Sequence, residues 1–171
     1  MATIPIMIVF DGETIQEKAG TGGSMDHPIS LGGIQGNCIY MMAQNNYVVS
    51  DQAGAELNIS AEPEDIVQWR ATSIDRTNYS PILVEFDVSS GSQYISTAVD
   101  TLPTLYYYLS KDANNPDSGT QQASGLESIW QATVLNTGSV TYHWTLKLMD
   151  REGNVIGYYN WDPFITIHKP G

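Results

Sequence analysis

Tyr142, Trp144, Leu146 and Leu148 fall on alternate positions with His143, Thr145 and Lys147 between them. No stretch constrains the fold more, because a strict period of two is the pattern of a β-strand with one buried face. The polar run Asp150-Arg151-Glu152-Gly153-Asn154 follows and supplies a turn, since Gly153 and Asn154 tolerate positive φ. A second apolar run opens at Val155, so the segment predicts a hairpin. In the return strand Ile156 and Tyr158 share one face, and Val155, Gly157, Tyr159 and Trp161 share the other. Pro163 has no N–H to give a ladder and predicts a break before Phe164-Ile-Thr-Ile167 resumes as a last short strand.

The same grammar recurs along the chain. Met1 to Phe10 reads as a first strand, and the glycine-bearing stretch Asp11 to Ser30 as a long loop with at most one short helix. Cys38 to Met42 and Tyr47 to Val49 are further strand candidates, as are the alternations at Ala55, Leu57, Ile59 and at Val67, Trp69, Ala71. Ile82, Val84, Phe86 and Val88 alternate cleanly between Ser80-Pro81 and Ser89-Ser90-Gly91. Strands are also expected around Tyr94, across Leu105 to Leu109 and across Ile129 to Val134, with Lys111 to Ser124 as the longest polar loop. About nine or ten short strands without a convincing helical period predict an all-β fold, an antiparallel β-sandwich of jelly-roll type. At 171 residues the chain is most simply one such domain over residues 1–171, long enough to bury a core unaided.

Charge and cysteine content narrow the function. Seven Lys and Arg against 19 Asp and Glu leave a net charge of −12, which argues against nucleic acid and against anionic membrane surfaces. The single cysteine, Cys38, has no partner for an internal bridge and no activating basic neighbour in sequence, so a buried inert thiol is expected. The apolar start has no basic leader region and exits on Asp11, unlike a signal peptide, and no run is long enough to span a bilayer. The expectation is a cytoplasmic product, with release by a route needing no cleaved signal still compatible.

Catalytic constellations are missing from the text. There is no Gly-x-Ser-x-Gly elbow, phosphate loop, Gly-x-Gly-x-x-Gly or His-Glu-x-x-His, and His27, His143 and His168 lie far apart. No cofactor motif is present and no catalytic residue is assigned. The one cation the sequence admits is Ca²⁺, at Asp112-Ala-Asn-Asn-Pro-Asp-Ser-Gly119, where Asp112, Asn114 and Asp117 are closely spaced oxygen donors. A solvated turn-rich loop has the same composition. Aromatic side chains beside amides and acids suggest a carbohydrate site at Tyr158, Trp161, Asp162, Tyr107 and Asn115, although core packing is the commoner role for such rings.

Several ordered blocks carry a resemblance. Trp130-Gln-Ala-Thr-Val134, Leu148-Met-Asp-Arg151 and Gly157-Tyr-Tyr-Asn-Trp-Asp-Pro163 resemble the bacterial PixA/AidA inclusion body protein family, as do Ile6-Met-Ile-Val-Phe-Asp11, Tyr40-Met-Met42 and Asp65-Ile-Val-Gln-Trp-Arg70. That resemblance implies abundant late-growth or quorum-controlled expression, intracellular inclusions in host-associated bacteria, and no enzymatic activity. It leads to a non-enzymatic protein that associates with itself as a homodimer or larger assembly. The alternative is a carbohydrate-binding module with Ca²⁺ dependence.

Overall fold

The computed structural model describes residues 1–167, so His168 lies outside the described residues. In chain order the elements are β1 (Thr3–Phe10), α1 (Gly12–Ala19), β2 (Ile29–Ser30), β3 (Ile39–Ala43), β4 (Val48–Ser50), β5 (Asn58–Ala61), β6 (Ile66–Ser73) and β7 (Tyr79–Ser90). They continue with β8 (Val99–Asp100), β9 (Thr104–Ser110), β10 (Thr120–Leu126), β11 (Trp130–Thr133), β12 (Gly138–Asp150), β13 (Val155–Trp161) and β14 (Phe164–Ile167). The all-β expectation holds, with 14 strands among the described residues, from two residues in β2 and β8 to 13 in β12. The region around Tyr94 forms only an isolated bridge, Ile95 with Val134.

The larger, seven-stranded sheet is built on β12. One edge of β12 pairs with β7 from Thr141 to Asp150, while the other pairs first with β14 and then with β13. The expected hairpin between β12 and β13 is held by Asp150, whose carboxylate accepts from the Asn154 backbone N–H at 2.7 Å and the Asn154 side-chain amide at 2.9 Å. Gly153 takes φ of 84° in that turn. Facing this sheet is a five-stranded one in the order β3-β1-β6-β11-β8.

The expected antiparallel pairing is corrected to a mixed one. β1 runs parallel to β6, β13 to β2 and β14 to β5. Parallel neighbours need a crossover. Between β1 and β6 it is the run of residues 11–65, which contributes β2, β4 and β5 to the opposite sheet. Alternation reports which face a residue occupies and not the direction of its neighbour, so this feature has no local signature.

Where the sheets meet, Trp69 of β6 packs against Tyr142 and Trp144 of β12 and Phe86 of β7, with ring centroids 5.6, 5.5 and 5.3 Å away. Trp130 reaches Trp144 at 5.3 Å, and Phe10 meets Trp161 edge-on at 5.2 Å. Such pairs add about 0.5–1.5 kcal/mol each beyond the area they bury. The Trp69 indole N–H donates to the Tyr142 hydroxyl at 3.1 Å inside this cluster.

β7 departs from its clean alternation. Glu85 pairs with Thr145 but Leu83, not Val84, pairs with Leu146, so Val84 is an extra residue bulging out of the ladder. The bulge exchanges faces: Leu83 is buried, and Ile82, nominally in phase with Phe86, is exposed. Asp11 caps α1, accepting from the Thr14 backbone N–H at 3.0 Å and the Thr14 hydroxyl at 2.8 Å. Cys38 is buried as expected. Desolvation pushes its thiol up to about 11, helped by the Asp11 carboxylate and opposed by Lys18.

Candidate functional site

The residues proposed from sequence do not form one site. Trp161 is 2% exposed, and the same face of β13 buries Tyr159, whose hydroxyl donates to the Gly20 carbonyl at 2.7 Å. Burial raises the Tyr159 pKa. Trp161 therefore serves the core rather than a stacking surface. Its shared face with Gly157 and Tyr159 was the signal for this, and it outweighs the polar neighbours Asn160 and Asp162. Tyr158 and Asp162 are half-buried. Tyr107 lines a cleft to which neither they nor Asn115 contribute.

Asp112, Asn114, Asn115 and Asp117 are exposed in the turn between β9 and β10. Asp112 accepts from the Asn114 backbone N–H at 2.8 Å, and the Ser110 hydroxyl sits 2.9 Å from the Asp112 carbonyl and 3.1 Å from that of Pro116. Among the described residues no three His, Cys, Asp or Glu side chains are placed to hold a metal ion.

What the fold sets apart is the hairpin itself. Among the described residues β9 and β10 pair only with each other, as a two-stranded sheet separate from both layers of the sandwich. Lys111 to Ser124 reads as loop in the sequence, whereas β10 begins at Thr120. Thr-Gln-Gln-Ala-Ser lacks the usual strand signature because neither of its faces is fully buried. Three consecutive tyrosines favour an extended strand opposite it. Their rings lie outside the core: Tyr106 is 67% exposed, Tyr107 50% and Tyr108 68%. No charged residue occurs from Leu102 to Ser110 or from Ser118 to Leu126, in a chain whose net charge is −12.

The ladder has a defined phase. Lys111 N–H donates to Gly119 and Glu127 N–H to Pro103, both at 3.1 Å. Hydrogen-bonded pairs alternate along an antiparallel ladder. Leu105, Tyr107 and Leu109 therefore turn their backbone groups toward β10, while Thr104, Tyr106, Tyr108 and Ser110 direct theirs to the outer edge. The side chains divide the same way, with Tyr106 and Tyr108 on the solvent face. On the other face, Leu105 and Tyr107 line a cleft of about 660 Å³ against Met7, Pro81, Ile82 and Leu83 of the body. Arg76 and Glu127 also line it, and Glu127 lies 3.9 Å from Arg70.

A second cleft, of about 410 Å³, lies over the outer face of the larger sheet and gathers Glu85, Asp87, His143 and Thr145. Thr145 donates to Glu85 at 3.2 Å. His143 stands on the polar face, as its alternation predicts. No helix among the described residues is long and apolar enough to cross a membrane.

Comparison with known proteins agrees with this architecture. The family model described as PixA, inclusion body protein, matches residues 2–167. The crystal structure of an inclusion body protein (PixA) from Burkholderia cenocepacia J2315 superposes with a TM-score of 0.79 at 18% identity, covering 98% of this chain and 96% of that one. A cysteine protease inhibitor from Entamoeba histolytica gives a TM-score of 0.33 at 14% identity, over 66% of this chain and 86% of its own. No curated protein sequence matches the chain.

Proposed function

Because the chain belongs to the PixA inclusion body protein family, we propose that it is a non-enzymatic protein whose activity is to associate with copies of itself in the cytoplasm. One observation carries this: the uncharged, tyrosine-rich β9–β10 arm, with three rings at least half exposed and a strand edge that no strand among the described residues pairs with. Exposed edges are templates for further pairing, and soluble proteins ordinarily blunt them with charge. This arm carries no charge along either strand, and like-charged molecules meet at least cost where neither presents charge.

The reading predicts an unusual salt response. Contacts made by ion pairs weaken as salt is added, whereas contacts between apolar arms on two acidic bodies strengthen, because salt screens the repulsion between the bodies. Sedimentation velocity across a concentration series should show a dimer or larger species whose share grows from low to moderate salt. A monomer at every concentration and salt level would sink the proposal. Solvent-facing Tyr106 and Tyr108 rings also suit stacking on sugars. A glycan array with and without Ca²⁺ tests that alternative, which requires a hit lost on Tyr108→Ala.

A further inference from the structure

The open question within that reading is how the arms meet, and the ladder phase answers it. We infer that two copies join through the outer edges of their β9 strands, antiparallel about a twofold axis at Tyr107, making one continuous four-stranded sheet. The inference rests on the self-association proposed above and adds its geometry.

Three observations converge. First, a two-stranded hairpin is marginal alone, and three or more strands, or packing against another element, are needed for independent stability. Among the described residues the arm pairs with no third strand. Second, the outward backbone groups of β9 belong to even-numbered residues. With the axis at Tyr107, Tyr106 faces Tyr108 of the partner subunit, so each can donate its N–H to the other's carbonyl in a narrow pair. Third, β9 runs Thr104–Ser110, so this axis overlaps its whole length, Thr104 opposite the partner's Ser110. Shifting the axis by one residue loses pairs at both ends.

The edge of β10 is the weaker candidate. Its sequence, Thr-Gln-Gln-Ala-Ser-Gly-Leu, includes Gly125 and no β-branched or aromatic residue beyond Thr120. Pairing through β9 instead sets Tyr106 beside the partner's Tyr108 on one face and the two Tyr107 rings together on the other. Such aromatic cross-strand pairs are among the favourable ones.

Cysteine cross-linking reads the geometry directly. Opposed residues in a non-hydrogen-bonded antiparallel pair have Cα atoms about 4.5 Å apart, within disulfide range. Tyr107→Cys should therefore give a covalent dimer under mild oxidation. Ala123→Cys, at the centre of β10, should not, and the wild type, whose Cys38 is buried, should give none. Tyr106→Pro removes an outward N–H without touching the ladder inside the arm, and should weaken the dimer at least about tenfold. Tyr108→Lys, which leaves the backbone intact, should do the same, and it decides the matter where the proline variant loses strand content by circular dichroism. Cross-linking through Ala123→Cys, or dimers indifferent to both edge variants, would overturn the pairing while leaving self-association standing. A wild-type monomer would remove both.

Discussion

Tyr142→Phe is the sharpest test of the packing between the sheets. It deletes the hydroxyl that accepts the Trp69 indole N–H at 3.1 Å and keeps the ring that packs on Trp69 and Phe86. Both Trp69 and Tyr142 are 0% exposed, so no solvent reaches the orphaned donor. Leaving such a donor buried and unsatisfied costs about 1–3 kcal/mol at neutral pH. Alkaline solution adds an effect of opposite sign. Burial holds the Tyr142 phenol far above the ordinary tyrosine pKa, opposed only by the hydrogen bond from Trp69. An unfolded chain releases this proton near pH 10 while the folded one keeps it. The stability gained from a neutral Tyr142 is thus fully present below about pH 10 and lost as pH rises further, at roughly 1–1.5 kcal/mol per unit. Phenylalanine has no proton to release, so the gap between the two proteins should narrow above about pH 10 and close or invert near pH 12. Tyr79 and Tyr159, also raised, titrate in both proteins and cancel in the difference. Urea titrations followed by tryptophan fluorescence at several pH values measure the gap. A neutral-pH difference near zero, or stability curves that stay parallel through the alkaline range, would refute the argument.

Leu83→Ala should cost about 2–5 kcal/mol in urea unfolding and Ile82→Ala well under half of that, since the bulge at Val84 turns Leu83 inward; equal costs would mean the bulge is absent. An alanine Cβ at position 157 would lie 2.6 Å from the Gly22 carbonyl oxygen and 2.7 Å from the Tyr159 hydroxyl. Gly157→Ala should accordingly destabilise by about 1–3 kcal/mol and lower the melting temperature by several degrees. Asp11→Ala removes the cap of α1 and should lower thermal stability by about 1 kcal/mol, with Asp11→Asn or Asp11→Ser recovering most of it.

The parts of this fold legible in sequence are those where one face is dry and the other wet. β12 declares itself through Tyr142, Trp144, Leu146 and Leu148, and its turn through Asp150 to Asn154, because both are set by residues adjacent in the chain. The bulge in β7 was not legible: Ile82, Val84, Phe86 and Val88 keep perfect alternation in the text, and only the pairing with β12 reveals the slip. Nor could the text give strand direction, since β1 lies beside β6 through a crossover that no local pattern encodes. For the arm the difficulty was of another kind. Reading polar residues as loop fails at Thr120 to Ser124, where a strand forms without burying a face. The tyrosines beside it were visible, and so was the absence of charge around them. What the text lacked was the fact that β9 and β10 stand apart from the sandwich, which leaves all three rings exposed.

β12 also governs the order in which the molecule can be made. It is the shared neighbour of β7, β13 and β14, and through the last two it anchors β2, β5 and β4. A ribosome delivers residues 1–137 before any of β12, so the emerging chain holds Trp69 and Phe86 with no opposing Tyr142 or Trp144 to cover them. The early strands β2 and β5 wait for partners near the far end of the sequence, and such non-local closure is slow. Half-made molecules therefore spend synthesis with sticky apolar surface uncovered, the condition under which nascent chains aggregate or recruit chaperones. How long that surface stays open to misfolding is thus set by how quickly one late strand arrives.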